Sequence, residues 1–496
     1  MAGRGLTVAV FGTASHVGKS LVVAGLCRML ARRGIRVAPF KAMNMSNNAT
    51  VTLDGAEIGL AQAVQAEAAG IEPTAEMNPL LLKPTAGRGF QVIHLGRALG
   101  HVTPRRWGRI APRLWPRTIA AGRRLIGRHD VVIIEGAGGA AEPNLRRTDP
   151  ANFRVAHALR APVLLVGSIE FGGVFAALAG TVAALPATDR RLIRGLLINN
   201  HHGDPALLGM APSWLRERTG VPVLGVLPHL DGLGFPEEDD PPQAAGSPRD
   251  RAGRLRVEVV RLPGVSNFTD LDAFRAEPDV DLVWIDAPQS RTPAVLILPG
   301  SKNTIESLGI LTARGLDRYL VRAARAGAHV VGLCGGYQML GSRVDDPHGA
   351  ESRLRRVRGL GVLSVTTRFA GNKTTVRVRA RHRRSGLLVD GFEMHMGRTT
   401  APGSGAVFDL LTRTGREGCE NASGRVWGTY LHGVFDEPGF RRWFLDRIRL
   451  ERGWPPVGRL GRPERERRLA AYNRIADALE ASIGWHRVRS LIDNSR

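Results

Sequence analysis

The sequence predicts an α/β fold with two domains, each a mostly parallel sheet flanked by helices, followed by a C-terminal helix. Short apolar strands alternate with helical patterns over residues 1–230 and again over 257–445, an order typical of parallel sheets. The stretch 231–256 loses this periodicity and gathers Pro, Gly and charge, so we interpret it as a linker. Residues 446–496 form a predicted helical tail.

The first domain begins with a strand, LTVAVFG, which runs into a glycine-containing turn. The pattern KSLVVAGLCRMLARRG then predicts an amphipathic helix that ends at Gly34. Further predicted strands are IRVAPF, DVVIIEGAGG, APVLLVGS, IRGLLINN and VPVLGVLP. The apolar stretch 171–186 is shorter than the roughly 20 residues of a membrane-spanning helix. We therefore interpret it as a buried helix and expect no membrane partner.

The second domain contains a similar series of apolar segments. They are VEVVRLPG, VDLVWID, AVLILPGSKNT, GAHVVGLCGGYQMLG and GRVWGTYLHGVFD. In the tail, one apolar face at helical spacing is formed by Leu469, Tyr472, Ile475, Leu479 and Ile483. This face predicts a terminal helix that docks on the rest of the protein.

Composition limits the class of protein. With 496 residues and 43% hydrophobic content the chain is an ordinary globular protein. Three scattered cysteines favour a reducing compartment, and we expect a cytoplasmic location. The net charge of +24 would suit nucleic acid, but the arginines are spread along the chain. We expect no nucleic-acid partner, and an anionic small-molecule substrate fits the same charge.

Lysine is rare, which draws attention to the few that occur. Only five of the 69 basic residues are lysines: Lys19, Lys41, Lys83, Lys302 and Lys373. A compact ammonium can serve where a planar guanidinium cannot, so each lysine is a candidate functional residue. Lys373, in AGNKTTV, is the exception, and we predict it in a solvated loop.

A phosphate-binding loop is predicted at GTASHVGKS, residues 12–20. Five residues rather than four separate its glycines, but the strand before it, the GKS triplet and the helix behind it are those of an ATP site. Lys19 suits phosphate oxygens and Ser20 suits a magnesium ion. The ATP-binding residues of this loop are therefore predicted to be Gly12, Thr13, Gly18, Lys19 and Ser20.

Phosphoryl transfer also needs carboxylates to hold Mg²⁺. Glu135 ends a strand directly before GAGG, where a parallel sheet presents side chains to its C-terminal crevice. Asp54, in TLDGAEIG, is a second candidate. On the residues alone, Asp54 could equally be a turn residue.

A second candidate site is built around a cysteine. In HVVGLCGGYQMLG an apolar strand leads to Cys334 and then to a Gly-Gly turn that starts a helix, a geometry that favours a reactive thiolate. A buried structural cysteine is the alternative. His432, in GTYLHGVFD, is the candidate base. Backbone N–H groups at Gly300 and Gly335 are the candidate oxyanion hole.

These motifs resemble known families. The Cys and His arrangement resembles the flavodoxin-like class I glutamine amidotransferase domain, which releases ammonia from glutamine. The N-terminal half resembles the dethiobiotin-synthetase-type P-loop ATPases, whose loop has the same five-residue spacing. In this order, the halves resemble the cobyric acid synthase family of cobalamin biosynthesis. The motifs that carry this are FKAMNMSNN, DGAEIGLAQAVQAEAAG, MNPLLLKP, EGAGG, SNFTDLD, LPGSKNT, GLCGGYQMLG, GFEMHMGRT and GTYLHGVF.

The resemblance implies ATP- and glutamine-dependent amidation of a corrinoid. The expected reaction converts the b, d, e and g carboxylates of (adenosyl)cobyrinic acid a,c-diamide to amides, which gives cobyric acid. ATP and Mg²⁺ are the expected cofactors, and glutamine is the co-substrate; the oligomeric state stays open. Three alternatives are an a,c-diamide synthase, a partition-type P-loop ATPase that binds nucleic acid, and a decayed scaffold protein. In the a,c-diamide synthases, the stretch after the second strand resembles F-K-x-G-P-D-Y-I-D. This chain has FKAMNMSNN in that place, and this difference favours cobyric acid synthase over a,c-diamide synthase.

The resemblance also implies residue roles. It places Asn199 at the adenine base, Cys334 as the nucleophile and His432 as its base. The expected metal ligands are Ser20, Asp54 and Glu135. The expected site for the substrate and its acyl phosphate comprises Lys41, Asn44, Ser46 and Lys83.

Two segments depart from the family pattern. The family typically reads D-I-D-R-G-G where this chain has GSIEFGG, with changes at Ser168, Glu170 and Phe171. It reads N-K-F-R-G-D where this chain has NNHHGD, with changes at His201 and His202. The Glu that follows the His by two residues in other amidotransferases is Val434 here, as in the family. No role is carried over to residues 168–171 and 200–202.

Overall fold

The computed structural model describes residues 5–85, 89–144, 149–235, 253–352, 354–402 and 405–495. Most of the predicted linker, residues 236–252, lies outside these ranges. The predicted class, two domains with mostly parallel sheets and C-terminal helices, is confirmed by the architecture below.

The first domain is built on a six-stranded parallel sheet. In spatial order its strands are Val223–Pro228, Ile193–His201, Val163–Ser168, Leu6–Gly12, Val131–Glu135 and Val37–Phe40. Alternate residues of one central strand enter different apolar cores, with Val8 in one and Phe11 in the other, because helices cover both faces. The helices of this domain are Lys19–Ala31, Leu60–Ala68, Pro104–Arg128, Phe153–Leu159, Val174–Ala184, Ala187–Arg190 and Ala211–Thr219.

The second domain has its own six-stranded sheet. In spatial order its strands are Val280–Ile285, Leu255–Val260, Val295–Leu298, His329–Leu333, Val426–Thr429 and Cys419–Glu420. Only the last pair is antiparallel. The helices of this domain are Asp272–Arg275, Thr304–Ala313, Leu316–Arg325, Gly335–Leu340 and Pro438–Glu451.

Three smaller sheets, which the sequence did not predict, form the contact between the domains. The first domain contributes the strands Met43–Met45, Leu80–Thr85, Gly89–His94 and Arg97–Val102, and the hairpin Ala49–Val51 with Glu57–Gly59. The second contributes Arg343–Asp345, Arg356–Arg358, Thr366–His382, Leu388–Thr400, Phe408–Leu410, Arg416–Glu417 and Leu431–His432. Val51 and Leu81 pack with Met394 in one small apolar cluster, and Arg377 Nε donates to Val51 O at 2.9 Å. The two domains therefore share a packed boundary.

The tail returns to the first domain as two helices, Glu464–Ile483 and Trp485–Asp493. Four residues of the predicted apolar face are buried, namely Tyr472, Ile475, Leu479 and Ile483, whereas Leu469 is 37% exposed. They pack on the helix Lys19–Ala31, where a Cβ at Gly25 would lie 2.4 Å from Leu479 Cδ1. Glycine at this position thus lets the two helices approach closely.

The apolar stretch 171–186 differs from its prediction as a buried helix. It contains the helix Val174–Ala184, which buries one face only, and Phe171 before it is 94% exposed. Over the described part of the chain, no helix combines the length and the apolar character needed to cross a membrane.

Candidate functional site

The predicted phosphate loop lies at the carboxyl end of the strand Leu6–Gly12 and leads into the helix Lys19–Ala31. Gly18 has a φ of +92°, and a Cβ there would lie 2.0 Å from Asn199 Nδ2. That amide donates to Val17 O at 2.9 Å. Asn199 therefore supports the loop from a neighbouring strand, and only glycine fits at position 18.

The loop also holds its lysine in place. Lys19 Nζ donates to Ala14 O at 2.8 Å and to Gly138 O at 3.0 Å, and Thr13 N donates to Val166 O at 2.9 Å. The ammonium is thus fixed over the loop by carbonyl oxygens from two segments. Phosphate oxygens can replace such acceptors, as in other phosphate loops.

A buried carboxylate lies directly behind the loop. Glu135 Oε1 accepts hydrogen bonds from Ser20 Oγ and from Lys41 Nζ, both at 2.8 Å, and Oε2 accepts one from Gln65. Burial alone would raise the pKa of Glu135, but Lys41 and the hydrogen bonds from Gln65 and Ser20 hold that pKa below its usual value. The site therefore keeps a charged carboxylate paired with a lysine and next to the loop serine.

The stretch FKAMNMSNN crosses from this network to the second domain. Asn44 Nδ2 donates to Gln62 Oε1 at 3.2 Å beside the phosphate site, and Ser46 Oγ accepts from Asn48 N at 3.0 Å. Asn48 Oδ1 accepts from Asn267 N at 2.7 Å, and Asn267 Oδ1 accepts from the backbone N of residue 49 at 3.1 Å. This reciprocal pair joins the domains.

Two residues predicted at the synthetase site lie elsewhere. Asp54 is in an exposed turn, where Thr52 Oγ1 donates to its carboxylate. The turn connects the two strands of the hairpin, Ala49–Val51 and Glu57–Gly59, and the metal role of Asp54 stays a prediction. Lys83 is buried beside Glu57, with Nζ 2.8 Å from Oε1, and 3.6 Å from Met394 Sδ. The reason is that its strand continues away from Lys41 towards the thiol site.

The cysteine occupies a sharp turn between a strand and a helix. Cys334 has a φ of +50° and lies between His329–Leu333 and Gly335–Leu340. Non-glycine residues rarely adopt this conformation, which recurs at catalytic nucleophiles. A Cβ at Gly336 would lie 1.8 Å from Leu298 O, and one at Gly335 would lie 2.8 Å from Ser301 N. The glycines therefore allow the turn after Leu298 to pack against the cysteine.

The histidine next to this cysteine has a partner that the sequence reasoning missed. His432 Nδ1 lies 2.7 Å from Asp270 Oδ2, and Gly433 N donates to Asp270 Oδ1 at 2.8 Å. A carboxylate only accepts, so Nδ1 donates and Nε2 remains for the thiol. Burial would lower the pKa of His432, but Asp270 and Cys334 together raise it to about 10. The arrangement can hold an imidazolium beside a thiolate.

A sequence motif could have identified Asp270 as a site residue. It lies in SNFTDLD, one of the motifs of the family resemblance. The position two residues after the histidine is Val434, which is buried and apolar. The third member of the arrangement therefore comes from another segment of the domain and not from the position used in other amidotransferases.

A cavity of about 310 Å³ opens on the cysteine and spans both domains. The second domain lines it with Gly335, Cys334 and His432, and the first domain with Lys83, Thr85 and His101. Its volume is at the lower end of the range for small-molecule pockets, about 300–1,000 Å³. The cavity therefore suits a ligand of amino-acid size.

Three of the five lysines converge on one buried carboxylate at this cavity. Glu57 binds Lys83 and Lys373 directly, and Lys302 Nζ donates to Gln91 Oε1 at 2.6 Å nearby. Burial would raise the pKa of Glu57, but Lys373, Lys83 and Lys302 hold it well below its usual value. Burial also lowers the pKa of Lys373 to about 8. The prediction of Lys373 in a solvated loop was wrong: it lies in a strand, with 11% of its side chain exposed.

Family profiles match both halves of the chain. The CobQ/CobB/MinD/ParA nucleotide binding domain matches residues 8–241, and the CobB/CobQ-like glutamine amidotransferase domain matches residues 256–440. A cobyric acid synthase from Syntrophobacter fumaroxidans is 42% identical, with 99% of each chain covered. The chain belongs to the cobyric acid synthase family.

Other members of the cobyric acid synthase family match over a similar length. The enzyme from Sorangium cellulosum is 44% identical, with 98% of each chain covered, and that from Desulforudis audaxviator is 45% identical, with 97% of this chain and 98% of the relative covered. Membership confirms the resemblance drawn from the motifs. A partition-type ATPase gives no account of the amidotransferase domain at residues 256–440, so this alternative is not favoured.

Proposed function

We propose that this chain uses ATP and glutamine to amidate the b, d, e and g carboxylates of (adenosyl)cobyrinic acid a,c-diamide, giving cobyric acid. The observation that carries the proposal is the link between two sites in one chain. Lys41, at one end of FKAMNMSNN, contacts Glu135 behind the phosphate loop. Asn48, near the other end, contacts Asn267, three residues before Asp270.

In the second domain, the residues support hydrolysis of glutamine. The Cys334 thiolate attacks the amide carbon of glutamine, and His432 gives its proton to the departing ammonia. Asp270 holds the ring in the required orientation. The N–H groups of Gly300 and Gly335 stabilise the oxyanion, because the two turns are packed together. Water then releases glutamate from the thioester.

In the first domain, the residues support activation of a carboxylate. The Ser20 hydroxyl and the Glu135 carboxylate are 2.8 Å apart, and such oxygen donors fit Mg²⁺. When bound there, Mg²⁺ supplies positive charge that offsets the phosphates. Lys19 binds phosphate oxygens, and Lys41 provides a compact charge next to the carboxylate that receives the phosphoryl group. Ammonia from the second domain displaces phosphate from this mixed anhydride.

Mass spectrometry of the corrinoid tests the proposal. Cobyrinic acid a,c-diamide incubated with the full chain, ATP, Mg²⁺ and glutamine should undergo successive replacements of a carboxyl OH by NH₂. Cys334→Ser should abolish amidation with glutamine and keep amidation with ammonium salts, because only ammonia release needs the thiol. Cys419→Ser, a second buried cysteine of the same domain, is the matched control. Loss of both activities in Cys334→Ser, or an unchanged corrinoid with the intact chain, would overturn the proposal.

A further inference from the structure

Three side chains meet at the carboxyl edge of the first-domain sheet. The neighbouring strands Val163–Ser168, Ile193–His201 and Val223–Pro228 end there. Glu170, His202 and His229 lie one or two residues beyond these ends. Loops that follow parallel strands share one edge of a sheet, so residues far apart in sequence come together. Glu170 and His202 also belong to the two segments that depart from the family pattern.

The distances between Glu170 and the two histidines suit a shared metal ion better than direct hydrogen bonds. Glu170 Oε1 lies 3.8 Å from His202 Nε2, and Glu170 Oε2 lies 3.6 Å from His229 Nδ1. These separations exceed those of N–H···O hydrogen bonds, about 2.7–3.2 Å. Two ligands of a tetrahedral zinc ion are about 3.3 Å apart, given metal–ligand bonds near 2.0–2.1 Å. One potential ligand atom from each of the three residues lies within 4.8 Å of the other two, so small side-chain rotations would complete the set.

His229 places a ring nitrogen without a hydrogen-bond partner beside this carboxylate. Its buried Nδ1 has no such partner within the described ranges, and it lies 3.6 Å from Glu170 Oε2. In a neutral imidazole one ring nitrogen carries a proton and the other a lone pair, so Nδ1 can serve as a metal ligand. The rings of His202 and His229 stack with centroids 4.4 Å apart, which holds the second nitrogen donor beside the first.

We propose that Glu170, His202 and His229 bind one divalent transition-metal ion of the zinc class. Two imidazole nitrogens and one carboxylate favour Zn²⁺ or Co²⁺ over Mg²⁺, which prefers oxygen ligands alone. Glu170 and His202 are exposed, so the remaining coordination positions face solvent. This site is distinct from the oxygen donors Ser20 and Glu135 behind the phosphate loop.

Cobalt absorption tests the site directly. Full-length Cys334→Ser protein, used so that no catalytic thiolate binds metal, is freed of metal with chelator and titrated with Co²⁺. We expect a visible absorption band that saturates at one equivalent and that Zn²⁺ removes. His202→Ala and His229→Ala should lose the band, because each removes one of the two nitrogen ligands.

A matched control separates this site from any other histidine. His157 also pairs with a carboxylate, Asp189 at 2.9 Å, and His157→Ala should keep the band. If a histidine variant misfolds by circular dichroism, Glu170→Gln provides the same test at an exposed position without a change in size. The proposal is overturned if no band saturates with Co²⁺, or if the band survives in His202→Ala, His229→Ala and Glu170→Gln.

Discussion

Replacing Asp270 with Asn removes the charge that faces His432 and leaves the size of the side chain unchanged. In the native site Nδ1 donates to Asp270 Oδ2 at 2.7 Å, in a buried position. An amide oxygen in this place can accept from His432, but the NH₂ group then faces the Gly433 N–H, and no negative charge is offered to an imidazolium. The variant therefore removes the charge of Asp270 together with one of its two accepted hydrogen bonds, and tests its contribution to the glutamine half of the reaction.

The size of the effect follows from the pKa of His432. Burial lowers that pKa, yet Asp270 and Cys334 raise it from 6.5 to about 10, a difference of ~5 kcal/mol at ~1.36 kcal/mol for each tenfold change. The charge of Asp270 and its hydrogen bond are the two largest influences that raise this pKa, so its loss should lower glutaminase kcat about 100-fold, or by ~3 kcal/mol in the activation barrier. The imidazolium exists below the folded-state pKa and is lost as pH rises through it. The alkaline limb of the glutaminase profile should therefore move to lower pH in Asp270→Asn.

The assay is glutamate release across a pH series, with amidation by ammonium salts measured in parallel. Ammonia-supported amidation should stay near the native rate, because the phosphate site keeps all its contacts. Asp272→Asn, two residues away and 3.8 Å from Arg275 in an ion pair, is the control and should keep the native profile. A native kcat and an unmoved alkaline limb in Asp270→Asn would refute the role of this carboxylate.

Three further variants test other parts of the structure. Gly18→Ala places a methyl group 2.0 Å from Asn199 Nδ2 at a φ of +92°. A clash of ~1–3 kcal/mol should weaken ATP binding, measured by calorimetry, about 10- to 100-fold, and native affinity would contradict this. Lys41→Arg introduces a larger cation into a buried site and should lower ATP-dependent amidation about tenfold or more; near-normal turnover would count against it. Leu479→Ala should reduce the free energy of unfolding in urea by ~2–5 kcal/mol, whereas Leu469→Ala, at a 37% exposed position, should change it by less than ~1 kcal/mol.

The parallel sheets could be predicted because their strands are short apolar runs that alternate with helical patterns. The sheets at the domain boundary could not. The strand Thr366–His382 reads TTRFAGNKTTVRVRARH and is largely exposed or half-buried along its length, so no apolar run marks it. The helix Pro104–Arg128 contains Pro112 and Pro116, which normally indicate breaks. In both segments the local sequence does not determine the secondary structure, and contacts with the rest of the fold do.

In the candidate site, too, some residues could be predicted from the local sequence and others could not. Cys334 and His432 could be found because each follows an apolar strand and precedes a glycine. Asp270 lies 162 residues before His432, and only the fold brings them together. Lys373 reads as a loop residue, yet folding buries it against Glu57. The family and its fold are confirmed, while the roles of individual residues stay predictions until the variants are measured.

The tail helix has a consequence for the synthesis of the chain on the ribosome. Arg28 Nε donates to Asn473 Oδ1 at 2.7 Å across 445 residues, and the apolar face of the phosphate-loop helix is covered by the same tail. At about 5–20 residues per second, translation of the intervening segment takes roughly 20–90 s, during which that face has no native cover. The ATP-binding domain therefore completes its packing only after the amidotransferase domain has been made. The domain that uses ammonia is thus the last of the two to complete its fold.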